Sequence, residues 1–202
     1  MVRRMLLGGM VSVFCMAVPT LAEDCTGCKE ITAKGFGFCD KCKHGVAFGV
    51  DLTSKKLYEA LAGQEVKDAA AVKCPGCQTA LKTSGVCDHC KLGAANGQLY
   101  HSMVAYRLAK GEPTTAEKAA HCPQCKKAFE TGGWCSGCNM GYAGHRMFKD
   151  KAGFEAAKKA HEILASAAKA SAKCEGCAAA MVQDGQCEKC KLTYKDGKAQ
   201  QG

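Results

Sequence analysis

Sixteen cysteines carry the chemistry open to this chain of 202 residues. They form four sets: Cys25, Cys28, Cys39 and Cys42; Cys74, Cys77, Cys87 and Cys90; Cys122, Cys125, Cys135 and Cys138; Cys174, Cys177, Cys187 and Cys190. Each set reads Cys-x2-Cys, nine or ten residues, then Cys-x2-Cys. A Cys-x2-Cys turn puts two sulfurs on one side of the backbone. Two such turns facing each other supply four thiolates to one tetrahedral ion, which suits zinc at about 2.3 Å per sulfur. Iron takes the same donor set and is the alternative metal.

Other cysteine chemistries fit less well. Haem attachment needs histidine directly after a pair, and none of the eight pairs has one. A disulfide framework is the main rival, because an exported chain meets an oxidising compartment. Such frameworks rarely place every cysteine in an x2 pair, as all sixteen are placed here. A thioredoxin-like motif is expected once, at a helix N-terminus within a βαβ pattern, and not eight times. His89 lies inside a pair and His121 just before one, but each set already holds four cysteines, so both are read as neighbours and not ligands.

The segments Cys74-Pro75-Gly76-Cys77 with Val86-Cys87-Asp88-His89-Cys90, and Cys122-Pro123-Gln124-Cys125 with Trp134-Cys135-Ser136-Gly137-Cys138, resemble tandem (double) zinc ribbons. The resemblance covers the four cysteine segments, about a third of the chain, and implies four zinc ions held by small hairpins. One departure stands out. Many ribbons have glycine directly after each pair, where this chain has Lys29, Lys43, Gln78, Lys91, Lys126, Asn139, Ala178 and Lys191.

The elements that must position these sulfurs also repeat. The sets start 49, 48 and 52 residues apart, a period that marks internal duplication. Gly37, Gly85, Gly133 and Gly185 stand two residues before each third cysteine. Gly45, Gly93 and Gly141 follow the last cysteine by three residues, and Tyr58, Tyr106 and Phe154 follow it by sixteen. Nine residues between pairs suffice for two short strands and a turn. Helical linkers are expected between the sets. One runs from an Asp51 cap through Leu57 and Leu61, and a second carries Leu99, Met103, Tyr106 and Leu108. Thr114 with Glu117 resembles a capping box, and 151–171 forms a long alanine-rich helix with an apolar stripe through Phe154, Ala157, Ile163, Leu164 and Ala168. Residues 195–202 read as a frayed polar tail.

The expected fold is therefore a set of small metal-stabilised α+β repeats, four zinc-ribbon hairpins joined by α-helical linkers. The divisions fall at 23–63, 64–113, 114–172 and 173–202, after a signal peptide at 1–22. Gaps of 31 to 35 residues between sets, against nine or ten within them, favour one ion per repeat, because short loops close at lower entropy cost. Large apolar residues are scarce, with seven Phe, five Tyr and one Trp, so a single large core is not expected.

Arg3 and Arg4, the apolar stretch to Val18, and Thr20-Leu21-Ala22 form an export signal too short to span a membrane. Cys15 leaves with it. The formal charge of +9 suggests nucleic acid at first sight. However, each zinc held by four thiolates carries a formal −2, so four sites bring the mature chain near neutrality. Lysines such as Lys29, Lys43, Lys91 and Lys191 are read as local neutralisation, and no nucleic-acid partner is expected.

A closed four-cysteine site leaves no open coordination position, and no Ser-His-Asp set, phosphate-cradling loop or carboxylate pair stands out. The functional expectation is a non-enzymatic, periplasmic or extracellular protein-interaction scaffold with a protein partner. Metal sequestration or delivery is the first alternative, and thiol-disulfide redox work the second.

Overall fold

A computed structural model of the protein describes residues 25–200, apart from the side chains at 32 and 33. The export signal and Cys15 lie outside the described residues. In chain order the first repeat contains α1 (Thr26–Lys34), β1 (Phe36–Cys39), β2 (His44–Ala47), β3 (Val50–Leu52) and α2 (Lys55–Leu61). The second contains β4 (Gln64–Glu65), α3 (Pro75–Thr83), β5 (Val86–Cys87), β6 (Leu92–Ala95), β7 (Gln98–Tyr100) and α4 (Met103–Ala109). The third contains β8 (Glu112–Pro113), α5 (Ala116–Ala119), α6 (Pro123–Thr131), β9 (Trp134–Cys135), β10 (Met140–Ala143), β11 (Arg146–Phe148) and α7 (Lys151–Ser171). The fourth contains α8 (Glu175–Gln183), β12 (Tyr194–Lys195) and β13 (Lys198–Ala199).

The spacer between cysteine pairs differs from expectation. It is not two strands and a turn. A nine-residue helix begins inside each first pair and fills most of the spacer. One short strand follows it in the first three repeats, reduced to the bridge Gln186–Thr193 in the fourth. Local chemistry explains the change. Pro75 and Pro123 stand at the first helical turn, where a missing N–H costs nothing. Good helix formers such as Ala, Lys, Gln and Leu fill the interior. Gly35 and Gly132 then end their helices in the left-handed region.

The sheets are antiparallel, in the orders β1-β2-β3, β4-β7-β6-β5, β8-β11-β10-β9 and β12-β13. Glu112 and Pro113, the end of the 64–113 division, pair with β11 and so are grouped with the sheet of the third repeat. A tight turn closes one hairpin in every repeat, at Phe48-Gly49, Asn96-Gly97, Gly144-His145 and Asp196-Gly197. Both residues of each turn have positive φ. Asn-Gly and Asp-Gly are strong hairpin signals, and the last one folds the segment read as a frayed tail into β12 and β13. That hairpin is docked: Tyr194 is buried, and the Asp196 N–H donates to Asp184 Oδ1 at 2.7 Å.

Helix starts also shift. Asp51 lies in β3, and the cap of α2 is Ser54, whose hydroxyl accepts from the Leu57 N–H. Leu99 belongs to β7, and Ser102 caps α4. Thr115, not Thr114, caps α5. The long helix α7 has the expected bounds, with Phe154, Ala157, Ile163 and Leu164 buried.

One continuous core draws residues from all four repeats, contrary to the expectation from composition. Leu52, Leu57, Leu61, Leu108 and Leu164 are fully enclosed, and alanines fill the close approaches between helices. Helices α2, α4, α7 and α8 pack against one another at its centre. Few large residues suffice because Ala lets helix backbones approach closely and bury area without bulk. Each cysteine set has its own small apolar cluster around this centre.

Two recurring sequence positions meet in space. A Cβ on Gly93 would lie 2.2 Å from Tyr106 Cγ, and one on Gly141 would lie 2.4 Å from Phe154. The aromatic ring of each following helix therefore lies directly on a strand glycine. In the first repeat Tyr58 instead packs on Phe36 and Phe38, at centroid distances of 5.3 and 5.8 Å.

Candidate metal centres

Each set of four cysteines converges, and within a set all four sulfurs lie within 4.8 Å of one another. The two halves of each site are built differently. The first pair occupies the start of a helix, with Cys25, Cys74, Cys122 and Cys174 at the N-cap positions of α1, α3, α6 and α8. The second pair occupies a turn between paired strands, with Cys39 opposite His44, Cys87 opposite Leu92 and Cys135 opposite Met140. In the fourth repeat the Cys187 N–H donates to the Leu192 carbonyl at 2.9 Å.

The residue after each second pair explains the missing glycines. Lys43, Lys91, Asn139 and Lys191 all have φ between 53° and 58°. The chain thus makes the left-handed turn with non-glycine residues, at a cost of about 1 kcal/mol each. The turn directs backbone N–H groups at sulfur: Cys90 N donates to Cys87 Sγ at 3.4 Å, and Cys190 N to Cys187 Sγ at 3.5 Å. The residues after the first pairs are helical and need no such turn. A glycine inside the first pair has its own role, since a Cβ on Gly76 would lie 2.8 Å from the Cys87 sulfur.

Sulfur separations between the two halves are 3.7 Å for Cys25–Cys39, 3.8 Å for Cys74–Cys87, 3.9 Å for Cys122–Cys135 and 3.8 Å for Cys174–Cys187. A disulfide requires about 2.05 Å. Four sulfurs each about 2.3 Å from a central ion stand about 3.8 Å apart at the edges of a tetrahedron. The donor set and its spacing fit a metal ion in every repeat.

The electrostatics favour thiolate at one corner. The backbone N–H of Cys28 faces Cys25 and, with neighbouring thiols, brings it down to about 6. This contact falls short of full cap hydrogen-bond geometry. The N–H groups of Cys77 and Cys177 lead the same effect on Cys74 and Cys174, each lowered to about 6, and that of Cys125 lowers Cys122 to about 7. Burial pushes Cys28 up to about 12. One thiolate therefore forms first in each cluster, solvated by the helix N-terminus and by the thiols of its neighbours.

Two tyrosines lean on the sites. The Tyr142 hydroxyl is buried without a nitrogen or oxygen partner, and its neighbour is the Cys125 sulfur. Tyr194 stands likewise beside Cys177. The adjacent sulfur is the acceptor open to such a hydroxyl, and a thiolate holding a metal ion would fill that role. Val46 and Ala94 hold the equivalent positions in the first two repeats.

All sixteen cysteines expected as ligands are brought together, and among the described residues no histidine joins a cluster. His89 Nδ1 lies 3.5 Å from Cys90 Sγ, and His121 Nδ1 lies 3.0 Å from the Lys118 carbonyl. Among the described residues no helix is long and apolar enough to cross a membrane. No family model, curated protein or solved structure matches the chain.

Proposed function

We propose that this is an exported, non-enzymatic zinc protein, with one structural zinc per repeat and a surface that serves as a protein-interaction scaffold. The observation that carries the metal assignment is the 3.7–3.9 Å sulfur spacing between a helix N-terminus and a strand turn in all four repeats. Zinc is favoured over iron because it has no redox chemistry to disturb a purely structural site. Four thiolates close the coordination sphere, so the metals fix the outer modules and do not act on a substrate. Export rests on the N-terminal sequence alone, and so does placement in the periplasm or outside the cell. Native mass spectrometry of the purified protein tests the metal reading. Four zinc ions and no disulfides support it, and a metal-free folded chain with bonded sulfurs overturns it.

Metal delivery is a second reading, favoured by one asymmetry. Cys190 is exposed, whereas its counterparts Cys42, Cys90 and Cys138 are half-buried. A ligand open to solvent is where an acceptor thiol would attack first. Exchange against isotopically labelled zinc separates the readings: a scaffold exchanges slowly at all four sites, and a delivery protein exchanges quickly at the fourth.

A further inference from the structure

Away from the cysteine clusters, a cleft of about 380 Å³ opens between the first and third repeats. Lys34, Lys118, His145 and Arg146 line it with Phe48 and Phe129, and no carboxylate does. Arg146 lies over the Phe48 ring, 5.3 Å from its centroid. Among the described residues no carboxylate comes within salt-bridge distance of it. A guanidinium has five N–H donors, and among the described residues the one hydrogen bond the Arg146 guanidinium makes is from Nη1 to the Gly111 carbonyl at 3.4 Å. Burial holds Arg146 below its ordinary value, as expected for a half-buried cation without a counter-ion. Among the described residues Lys34 has a single ion pair, an exposed one with Glu30 at 3.9 Å.

The two hairpin turns beside the cleft are unusual. In three repeats the second turn residue is glycine: Gly49, Gly97 and Gly197. The third repeat reverses the order, placing His145 there at φ 57°. Its imidazole stacks on Phe129 with 5.2 Å between centroids and 16° between planes. Phe48, which supports Arg146, is also left-handed at φ 50°. Strained, bulky residues are retained where their side chains have work to do. Here both strained residues orient the cleft, one as its imidazole and one as the platform for its guanidinium.

The geometry points to a binding site for an oxyanion, a phosphate or carboxylate group, held by the free edge of Arg146 with Lys34, Lys118 and His145 around it. A planar guanidinium stacked on a ring presents parallel N–H donors that match such a group bidentately. The site uses no cysteine and is independent of the metal assignment.

The test is NMR titration of the full, metal-loaded chain with inorganic phosphate and, separately, acetate, at constant ionic strength with chloride as control. Saturable shifts of the His145 and Arg146 side-chain signals with either anion support the site, and the stronger of the two identifies the preferred group. Arg146→Gln should weaken binding about tenfold or more, and the exposed double variant Lys34→Gln/Lys118→Gln should weaken it several-fold. Should Arg146→Gln fail to fold, the double variant decides. No saturable shift with either anion, or equal affinity in variants that keep their metal content, overturns the proposal.

Discussion

The Ser102 hydroxyl donates to the Val182 carbonyl at 2.6 Å, joining residues 80 apart in sequence inside the protein. The same oxygen accepts the Ala105 N–H as the cap of α4. One buried side chain therefore starts a helix of the second repeat and ties it to the end of the helix that bears the fourth repeat's first cysteine pair. Replacing Ser102 by Ala should cost about 2 kcal/mol, from the lost cap and an unsatisfied buried carbonyl. Ser54→Ala, which removes only a cap, should cost about 1 kcal/mol. Denaturant titration measures both, and metal content should be unchanged in each.

Single replacements of Cys28, Cys77, Cys125 or Cys177 by Ser should each remove one metal and leave three. These ligands are buried in separate clusters, so no ion is shared between repeats. Native mass spectrometry reads the count, and loss of two ions from one substitution would contradict it.

Strong chelation should melt the outer modules and spare the centre. Metal binding to small cysteine sites is worth roughly 10–16 kcal/mol, far more than the satellite clusters can supply. Helices α2, α4, α7 and α8 share the main core. Hydrogen exchange after chelation should show protection retained there and lost in α1, α3 and α6. Uniform loss of protection would show that the metals hold the core as well.

In the metal-free protein, where α8 stays in the main core, Cys174 at its N-cap should alkylate before Cys190, although Cys190 is the more exposed. The Cys177 N–H leads the effects that bring Cys174 down to about 6, whereas hydrogen bonds with Cys177 and Cys174 push Cys190 up to about 12. The sign for stability follows. A lowered thiol contributes stability present in full above its ordinary value of 9.0 and lost as pH falls through about 6. A raised thiol such as Cys190 contributes below 9.0 and loses that only as pH rises through about 12. Between pH 9 and 6 the metal-free protein, with α8 still docked in the main core, should therefore become less stable as pH falls. Mass mapping of iodoacetamide adducts and pH-resolved denaturation check the two statements.

Gly93→Ala and Gly141→Ala should each destabilise by about 1–3 kcal/mol, because the new methyl enters the space of Tyr106 or Phe154. Gly185→Ala meets no atom within 4 Å and should be near neutral. Thermal melts of the three variants make the comparison.

The four cysteine clusters were legible in sequence because paired spacing and short intervening loops leave few ways to group sixteen thiols. Helix α7 was legible too, since its 21 residues carry an apolar stripe at helical spacing, and the structure added its cap, Asp150. The spacers were not. Nine residues fit a hairpin or a helix equally well, and the Pro and Gly signals at their ends only gain meaning once the first cysteine is seen as a helix cap. The hairpin at Asp196-Gly197 was read as a frayed tail although that dipeptide favours a turn, and its docking depends on Asp184 and Ile163, which lie outside the hairpin in sequence.

Sequence alone determined which sulfurs belong together, because covalent proximity dominates the entropy of closing each site. Tertiary structure decided that four modules share one alanine-lined core, and that Arg146 meets Phe48 across two repeats. Those contacts depend on how separate helix and hairpin faces pack, and packing between distant segments leaves no periodic trace in the chain.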